Sequence, residues 1–268
     1  MSRLTQLFRL TRPAVAVLLG TALLPVTPGS CQWKPFPSLP LHNPPPNEDS
    51  PPLPLPEVIA RAFPALCKIQ GSLPNGTRIG GGSGFVVSPD GLVVSNDHVM
   101  SALIQAGASE IVGFFEDGRV FALEPLASDR EADIAIFKTL SPSTTAFPHL
   151  QFASSSKVVR GDPCVVLGAP LGGSLVPAVG VIGGNKHVAD DDLMIRVLRS
   201  QSDWNLLQVD ANMSSGSSGG PIVNDRGEVV GVSVMVQTTG GSGVGSLNYG
   251  VASDQVCVAA LAFSGCAR

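Results

Sequence analysis

The sequence has few aromatic residues, few charges and no cluster of basic residues. Aromatic residues make up 5 % and charged residues 14 % of its 268 positions, and the net charge at pH 7 is −4. Without a run of Lys or Arg, nucleic acid is not an expected partner. The hydrophobic share of 44 % excludes global disorder. The 30 glycines and 23 prolines favour short strands and tight turns over long helices.

The five cysteines form no CxxC pair, which excludes zinc-finger and thioredoxin-type sites. They are Cys31, Cys67, Cys164, Cys257 and Cys266. In an oxidising compartment the four that follow Cys31 are enough for two disulfides, and proximity favours a pair between Cys257 and Cys266. Buried free thiols that act as small hydrophobic side chains are the alternative.

The N-terminal region lacks an apolar run long enough to span a bilayer, which needs about 20 residues. Its apolar stretch covers only 14–26 and follows three arginines, so residues 1–30 are typical of a secretory signal. We therefore expect an exported protein, periplasmic or secreted. A lipid anchor at Cys31 is one alternative, although Pro28 stands where bacterial lipoprotein signals carry Leu. A mitochondrial targeting segment is another, since the region is rich in Arg and free of acidic residues.

Residues 31–56 indicate a linker. Ten prolines lie between positions 35 and 56, and proline donates no backbone hydrogen bond to a packed core. The segment is therefore expected to form a semi-rigid tether with polyproline character.

The remaining chain shows short β-rich runs separated by turn residues such as Asp-Gly. Predicted strands lie at 85–87, 92–94, 111–115, 120–123, 134–137, 165–167, 179–182, 206–209, 222–223, 229–232 and 249–251. Only 57–63 and 98–106 look helical. This pattern predicts an all-β domain, a barrel or a sandwich. The weakly apolar stretch 150–161 is expected to join two lobes, about 57–150 and 160–256.

The strongest local motif for chemistry is GSSGGP at 216–221. A nucleophilic serine needs an exposed turn and nearby backbone N–H groups for an oxyanion, and flanking glycines permit both. A plain Gly/Ser loop is the alternative. No histidine follows Ser218, which excludes the α/β-hydrolase order of catalytic residues. The strand pattern excludes the α/β fold of subtilisins.

The order that remains is His, Asp, Ser. His98 follows the first predicted hairpin, and Asp133 opens a predicted strand. Each residue alone has an ordinary structural explanation. Together with Ser218 they fit one mechanism, in which the histidine activates the serine and the acid orients the histidine.

Five motifs in this order resemble the HtrA/Deg group of chymotrypsin-fold serine proteases. They are GSGFVVSPDG at 82–91, NDHV at 96–99, ADIA at 132–135, GD at 161–162 with VVLG at 165–168, and GSSGGP at 216–221. The resemblance runs from about residue 57 to 256. It implies two six-stranded antiparallel β-barrels with the active site between them.

The resemblance also assigns roles to residues. It implies Ser218 as nucleophile, His98 as base and Asp133 as the acid that orients it, with the backbone N–H groups of Gly216 and Ser218 as oxyanion hole. No metal or other cofactor is implied. Ser217 stands where digestive relatives carry the Asp that pairs with a newly cleaved N-terminus, so that zymogen switch is not expected.

The same correspondence predicts the primary substrate pocket. Asn212 would form its floor, and Tyr249, Gly250 and Val251 would form its wall. Because no carboxylate stands at position 212, we expect a preference for small or medium apolar side chains rather than for Arg or Lys.

The expected function is a serine endopeptidase that cleaves exported, misfolded or unfolded polypeptides through an acyl-enzyme. A catalytically silent, chaperone-like binding module with the same fold is the alternative, and esterase activity in the same site is a third hypothesis. The resemblance implies a homotrimer. It ends near Val256, so we expect a protease domain without a PDZ domain and a short tail at 257–268.

Overall fold

The computed structural model describes residues 51–141, 146–187, 205–236 and 247–261. Within these ranges, twelve strands form two closed barrels of six antiparallel strands each. The prediction of an all-β double barrel is therefore confirmed. The predicted signal segment, most of the predicted linker, Cys31 and Cys266 lie outside the described residues.

The first barrel contains six strands that are numbered in chain order. They are β1 Leu66–Ser72, β2 Arg78–Val86, β3 Leu92–Ser95, β4 Glu110–Phe115, β5 Val120–Asp129 and β6 Ile134–Thr139. Their order around the barrel is β1-β2-β3-β6-β5-β4. The barrel closes through β1, in which Cys67 pairs with Gly84 on one side and with Phe115 on the other.

The second barrel repeats this topology. Its strands are β7 Pro163–Gly168, β8 Val176–His187, β9 Asn205–Asp210, β10 Pro221–Val223, β11 Val229–Val236 and β12 Leu247–Ala252. The order β10-β11-β12-β9-β8-β7 gives the same ring of neighbours as in the first barrel. The ring closes where Ile222 of β10 pairs with Val166 of β7.

Three α-helices in the described ranges lie outside the barrels: α1 Leu55–Ala62, α2 Asp97–Gln105 and α3 Ser253–Leu261. The first two agree with the predicted helical segments. The third was not predicted, and residue 257, at which the predicted tail begins, lies within it. None of the helices in the described part of the chain has the length and apolar character needed to cross a membrane.

The segment between the barrels is tied to both of them. The N–H of Leu150 donates to the carbonyl of Val86 in β2 at 2.9 Å, and the N–H of Ala153 donates to the carbonyl of Val229 in β11, also at 2.9 Å. These bonds fix the chain between the two barrels, so the segment predicted to join two lobes follows a defined path.

Two of the cysteines are buried thiols, one in each barrel. Cys67 in β1 is 0 % exposed and Cys164 in β7 is 2 % exposed, and both are free. The hypothesis of two disulfides is therefore wrong for these residues, and they pack as small hydrophobic side chains. Burial raises the pKa of each thiol to about 12, and for Cys164 the charge of Asp210 adds to that effect.

Candidate active site

The first turn of α2 presents His98 at the edge of the first barrel. Strand β3 ends at Ser95, and Asn96 is extended, with φ −90° and ψ 149°, before the helix begins at Asp97. His98 therefore lies on a short helix that is anchored to a closed barrel. Its side chain is 50 % exposed.

Asp133 lies in the turn between β5 and β6. One carboxylate oxygen of Asp129, Oδ1, accepts the N–H groups of Glu131 and Ala132 at 2.9 Å each and so shapes the turn. Asp133 itself has φ 48°, a left-handed conformation that Asp tolerates better than most residues. This backbone conformation helps to bring its carboxylate to the start of α2.

The carboxylate of Asp133 holds His98 at two points. Oδ1 accepts the backbone N–H of His98 at 2.9 Å, and Oδ2 lies 2.8 Å from Nδ1 of the ring. Asn96 donates from Nδ2 to the carbonyl of Asp133 at 2.8 Å. A hydrogen on Nδ1 that faces the carboxylate leaves Nε2 as the ring's proton acceptor.

The same contacts set the basicity of the imidazole. Burial acts to lower the pKa of His98, but the hydrogen bond to Asp133, the charge of that carboxylate and the charge of Asp97 together raise it above its usual value. A raised pKa makes the neutral ring a stronger base, and it also means that the ring becomes protonated, and unable to accept a proton, at a higher pH.

Ser218 lies in a tight turn just before β10 and is 7 % exposed. Two glycines make the turn possible, since Gly216 has φ 95° and Gly219 has φ 87°. A side chain at position 219 would also overlap the carbonyl of Ser83 and the hydroxyl of Ser95 in the first barrel. The turn is therefore packed directly against β2 and β3.

His98 from the first barrel and Ser218 from the second barrel line one crevice of about 410 Å³. Most of its lining is apolar or glycine, and the only titratable side chain in the lining is His98. The lining residues are Ile79, Gly80, Gly81, His98, Val99, Ala102, Leu103, Ala106, Ser215, Gly216 and Ser218.

The predicted catalytic residues thus lie together in this part of the fold. His98 and Asp133 are hydrogen-bonded, and His98, Gly216 and Ser218 line one crevice. Such a set can transfer a proton from an alcohol to an imidazole beside backbone N–H groups. Among the described residues, no group of three or more His, Cys, Asp or Glu side chains is placed to hold a metal ion.

The residues predicted for the primary pocket are not among those that line the crevice. Asn212 is exposed, just after β9. Tyr249 and Val251 in β12 are 2 % and 0 % exposed and belong to the hydrophobic core, and Gly250 between them is also buried. The role of these four residues in a primary pocket stays a prediction.

Several residues around the site were not predicted from the sequence. One of them is Asn96, whose side chain donates a hydrogen bond to the carbonyl of Asp133. Its position two residues before His98 in the NDHV motif was a signal for a role beside the site. The apolar floor, formed by Val99 and Leu103 of α2, had a weaker signal in the helical spacing of apolar residues after His98.

Comparison with known families decides the membership of this chain. The family model for the trypsin-like peptidase domain matches residues 82–232, more than half of the 268 residues. The chain belongs to the trypsin-like peptidase family. The region of this trypsin-like peptidase that matches begins within β2 and ends within β11, and it contains His98, Asp133 and Ser218.

Curated relatives carry the names of HtrA and Deg proteins. The putative serine protease HhoA of Synechocystis sp. is 30 % identical over 183 residues, 68 % of this chain and 42 % of the relative. A probable periplasmic serine endoprotease DegP-like of Chlamydia pneumoniae is 32 % identical over 168 residues, 61 % of this chain and 30 % of the relative. These relatives confirm the resemblance to the HtrA/Deg group, although the chain spans less than half of their length.

A mitochondrial relative and two solved structures add to the comparison. The mitochondrial serine protease HTRA2 of Drosophila pseudoobscura pseudoobscura is 35 % identical over 159 residues, 59 % of this chain and 35 % of the relative. The HtrA-type protease AlgW with a tripeptide has a TM-score of 0.60 at 24 % identity and covers 74 % of this chain and 60 % of that chain. AlgW with a decapeptide has a TM-score of 0.62 at 22 % identity and covers 76 % and 66 %. The two structures share the fold.

Proposed function

We propose that this trypsin-like peptidase is a serine endopeptidase that uses Ser218, His98 and Asp133. The observation that carries the proposal is that the carboxylate of Asp133 is hydrogen-bonded to both the backbone N–H and the ring of His98, while His98 and Ser218 line the same crevice. A histidine without a catalytic role needs no carboxylate bonded to both its backbone and its ring, whereas a general base whose tautomer must be fixed does.

The proposed reaction begins with attack of the Ser218 hydroxyl on a peptide carbonyl. His98 accepts the hydroxyl proton at Nε2, and Asp133 stabilises the imidazolium that forms. The N–H groups of Gly216 and Ser218 stabilise the negative oxygen of the tetrahedral intermediate. The proton then passes from His98 to the leaving amine, and water hydrolyses the acyl-enzyme by the same steps in reverse order.

The acyl half of the substrate would bind along the outer edge of β11. Ser233 directs its N–H to the carbonyl of Gly220 and its carbonyl to the N–H of Gly219, so its polar groups face away from β12. Backbone groups alternate along an antiparallel strand, so Met235 directs its N–H and carbonyl to the same side. Within the described residues no strand pairs with that side of Met235, which supports addition of an extended peptide there.

The leaving half would lie over the first barrel. From His98 and Ser218 the crevice continues along α2 and the start of β2, with Val99 and Leu103 as its floor and Gly80 and Gly81 at its side. Glycines let a peptide backbone approach closely, and the apolar floor favours an apolar side chain after the scissile bond.

We infer that the substrates are exported polypeptides in an extended, unfolded or misfolded state. An extended segment is what a strand edge beside the nucleophile can bind, and the periplasmic names of relatives support an exported location. The mitochondrial relative supports the alternative location. The mass of the mature N-terminus distinguishes signal cleavage, lipidation at Cys31 and mitochondrial import. The homotrimer stays a prediction.

The two adjacent serines of the turn permit a sharp test of the nucleophile. We expect the wild type to cleave unfolded casein and to be labelled by a fluorophosphonate probe, and Ser218→Ala to do neither. Ser217→Ala removes the neighbouring hydroxyl and is expected to remain labelled. Labelling that survives in Ser218→Ala would exclude Ser218 as nucleophile.

The same experiment separates the other hypotheses. A wild type that binds unfolded casein at every temperature without cleaving it would favour a silent binding module. Hydrolysis of an ester but not of the matched amide would favour an esterase.

A further inference from the structure

We propose that two buried serines outside the triad, Ser83 in β2 and Ser233 in β11, are positioning residues that orient the oxyanion-hole N–H groups of the Ser218 turn. This inference rests on the proposed function, because it assigns a role in stabilising the tetrahedral intermediate. Ser83 is 1 % exposed and Ser233 is 0 % exposed, so their hydroxyls act on the protein and not on solvent or substrate.

Hydrogen bonds to four successive carbonyl groups, those of residues 215–218, hold the turn in place. The carbonyl of Ser215 accepts the N–H of Leu171. The carbonyl of Gly216 accepts the hydroxyl of Ser83 at 2.7 Å, and the carbonyl of Ser217 accepts the hydroxyl of Ser233 at 2.6 Å. The carbonyl of Ser218 accepts the N–H of Ser83 at 2.8 Å.

These bonds determine where the N–H groups point. In a trans peptide the C=O and the N–H point in opposite directions. The hydroxyl of Ser233 holds the carbonyl of Ser217, so the N–H of Ser218, which belongs to the same peptide unit, points away from Ser233. In the same way the N–H of Gly216 points away from Leu171. Each proposed oxyanion donor is therefore oriented by a hydrogen bond on the opposite side of its own peptide, from Leu171 for Gly216 and from Ser233 for Ser218. The hydroxyl of Ser83 holds the peptide between these two, because it donates to the carbonyl of Gly216, and so acts on both donors through the peptide that connects them.

Ser83 connects three parts of the fold at this turn. Its hydroxyl donates to Gly216 and also accepts the N–H of Ala169 at 2.8 Å, while its own carbonyl accepts the hydroxyl of Ser95 at 2.7 Å. All of its polar atoms are thus in use. The first barrel thereby holds the turn from one side, while Ser233 of the second barrel holds it from the other.

Loss of these hydroxyls should act on the transition state more than on substrate binding. Neither side chain lines the crevice, so KM should change little. The oxyanion develops only after attack, so a misdirected N–H lowers kcat. Removal of an oxyanion donor itself lowers kcat about 10²–10³-fold. Loss of one orienting hydroxyl leaves the donor in place, and we expect a fall of about tenfold to a hundredfold.

The chain offers a matched control for each serine. Ser88 is also 1 % exposed, and its hydroxyl also donates once, to Asp90, and accepts once, from the N–H of Leu92, but in the hairpin between β2 and β3. Ser253 is also 0 % exposed, and its hydroxyl also donates to a backbone carbonyl at 2.6 Å, that of Ala153. Alanine at these positions removes the same number of side-chain hydrogen bonds at a place away from the turn.

The experiment compares the full chain with the variants Ser83→Ala, Ser233→Ala, Ser88→Ala and Ser253→Ala. The readouts are kcat and KM for one peptide amide, the inhibition constant of a peptidyl boronate, and the Tm. We expect each variant to lose a similar amount of Tm as its control. Only Ser83→Ala and Ser233→Ala should lose kcat, and their boronate inhibition constants should rise by the factor by which kcat/KM falls.

The outcomes separate this inference from the proposed function. If the wild type cleaves the amide but Ser83→Ala and Ser233→Ala keep kcat within about threefold of their controls, the positioning role is overturned and the endopeptidase proposal stands. A rise in KM with unchanged kcat also overturns it. A wild type that neither cleaves the amide nor reacts with a fluorophosphonate overturns both.

Discussion

Replacing Asp133 by Asn tests the relay between the acid and the base. In the wild type, both carboxylate oxygens accept hydrogens from His98, one from the backbone N–H at 2.9 Å and one from Nδ1 at 2.8 Å. The amide of Asn keeps one acceptor, which can still bind the backbone N–H. Its NH₂ group then faces Nδ1 and favours the tautomer that carries the proton on Nε2. That tautomer cannot accept a proton from Ser218.

The expected loss is large because the wrong tautomer blocks the first chemical step. In a chymotrypsin-type triad the same change lowers kcat about 10⁴-fold, which corresponds to about 5.4 kcal/mol of activation free energy. Asp97→Asn is the matched control. It removes a charge that also raises the pKa of His98. The carboxylate of Asp97 accepts a hydrogen bond from the hydroxyl of Ser101, so it does not fix the tautomer of the His98 ring. We expect it to lower kcat less than tenfold.

The pH profile of kcat/KM gives a second readout of the same contact. His98 must be neutral to act as a base, and Asp133 raises its pKa, so wild-type activity should rise as pH increases through a value above the usual histidine pKa. Without the carboxylate the pKa falls, so in Asp133→Asn the acid limb should move to lower pH while the plateau drops. Asp133 does not orient His98 if kcat falls less than about tenfold in Asp133→Asn, if Asp97→Asn lowers kcat equally, or if the acid limb moves to higher pH.

Two further predictions concern the packing that supports the site. The thiols of Cys67 and Cys164, with pKa values of about 12, should react with iodoacetamide at pH 8 only after unfolding; rapid labelling of the native protein, measured by mass spectrometry, would contradict their burial. Gly219→Ala should abolish peptide cleavage and lower the Tm more than Gly107→Ala. Both glycines have a left-handed φ, 87° and 80°, which costs another residue roughly 1–2 kcal/mol. Of these two positions, only at 219 would a side chain also overlap atoms of the first barrel. Equal losses of Tm in the two variants would argue against that close packing.

Most strands could be predicted because the barrels use simple local signals. Apolar runs between Asp-Gly or similar turns gave eleven of the twelve strands. Strand β1 carried the same signals, since Lys68 and Gln70 alternate with Ile69 and an Asn75-Gly76 turn follows. Helix α3 also has a readable start, with Ser253 and Asp254 at its N-terminus. These two elements were missed although their signals are local.

The site was predictable in part, for a different reason. His98, Asp133 and Ser218 stand in motifs that resemble a known family, so their roles could be assigned before their geometry was known. The hydroxyls of Ser83 and Ser233 lie in strands, and serine in a strand carries no local signal for a partner. Ser83 meets the carbonyl of Gly216 across 133 positions of sequence, and such a contact depends on how two closed barrels pack.

The primary pocket stays a prediction for a similar physical reason. Correspondence along the sequence placed Tyr249 and Val251 at a pocket wall, but alternation along β12 and burial between strands place their side chains in the core. A residue's position in a motif does not determine whether its side chain faces the core or a crevice. The preference for small apolar residues therefore stays a prediction.

If Ser218 is the nucleophile, a covalent inhibitor should modify this alcohol and no other serine of the turn, and mass spectrometry can locate the modified residue. The wild-type protein is treated with a fluorophosphonate, digested, and the modified peptide is sequenced by tandem mass spectrometry. We expect a single adduct on Ser218, with a rate that increases with pH as His98 becomes neutral. An adduct on Ser215 or Ser217, or efficient peptide cleavage by a protein that the probe never modifies, would contradict it.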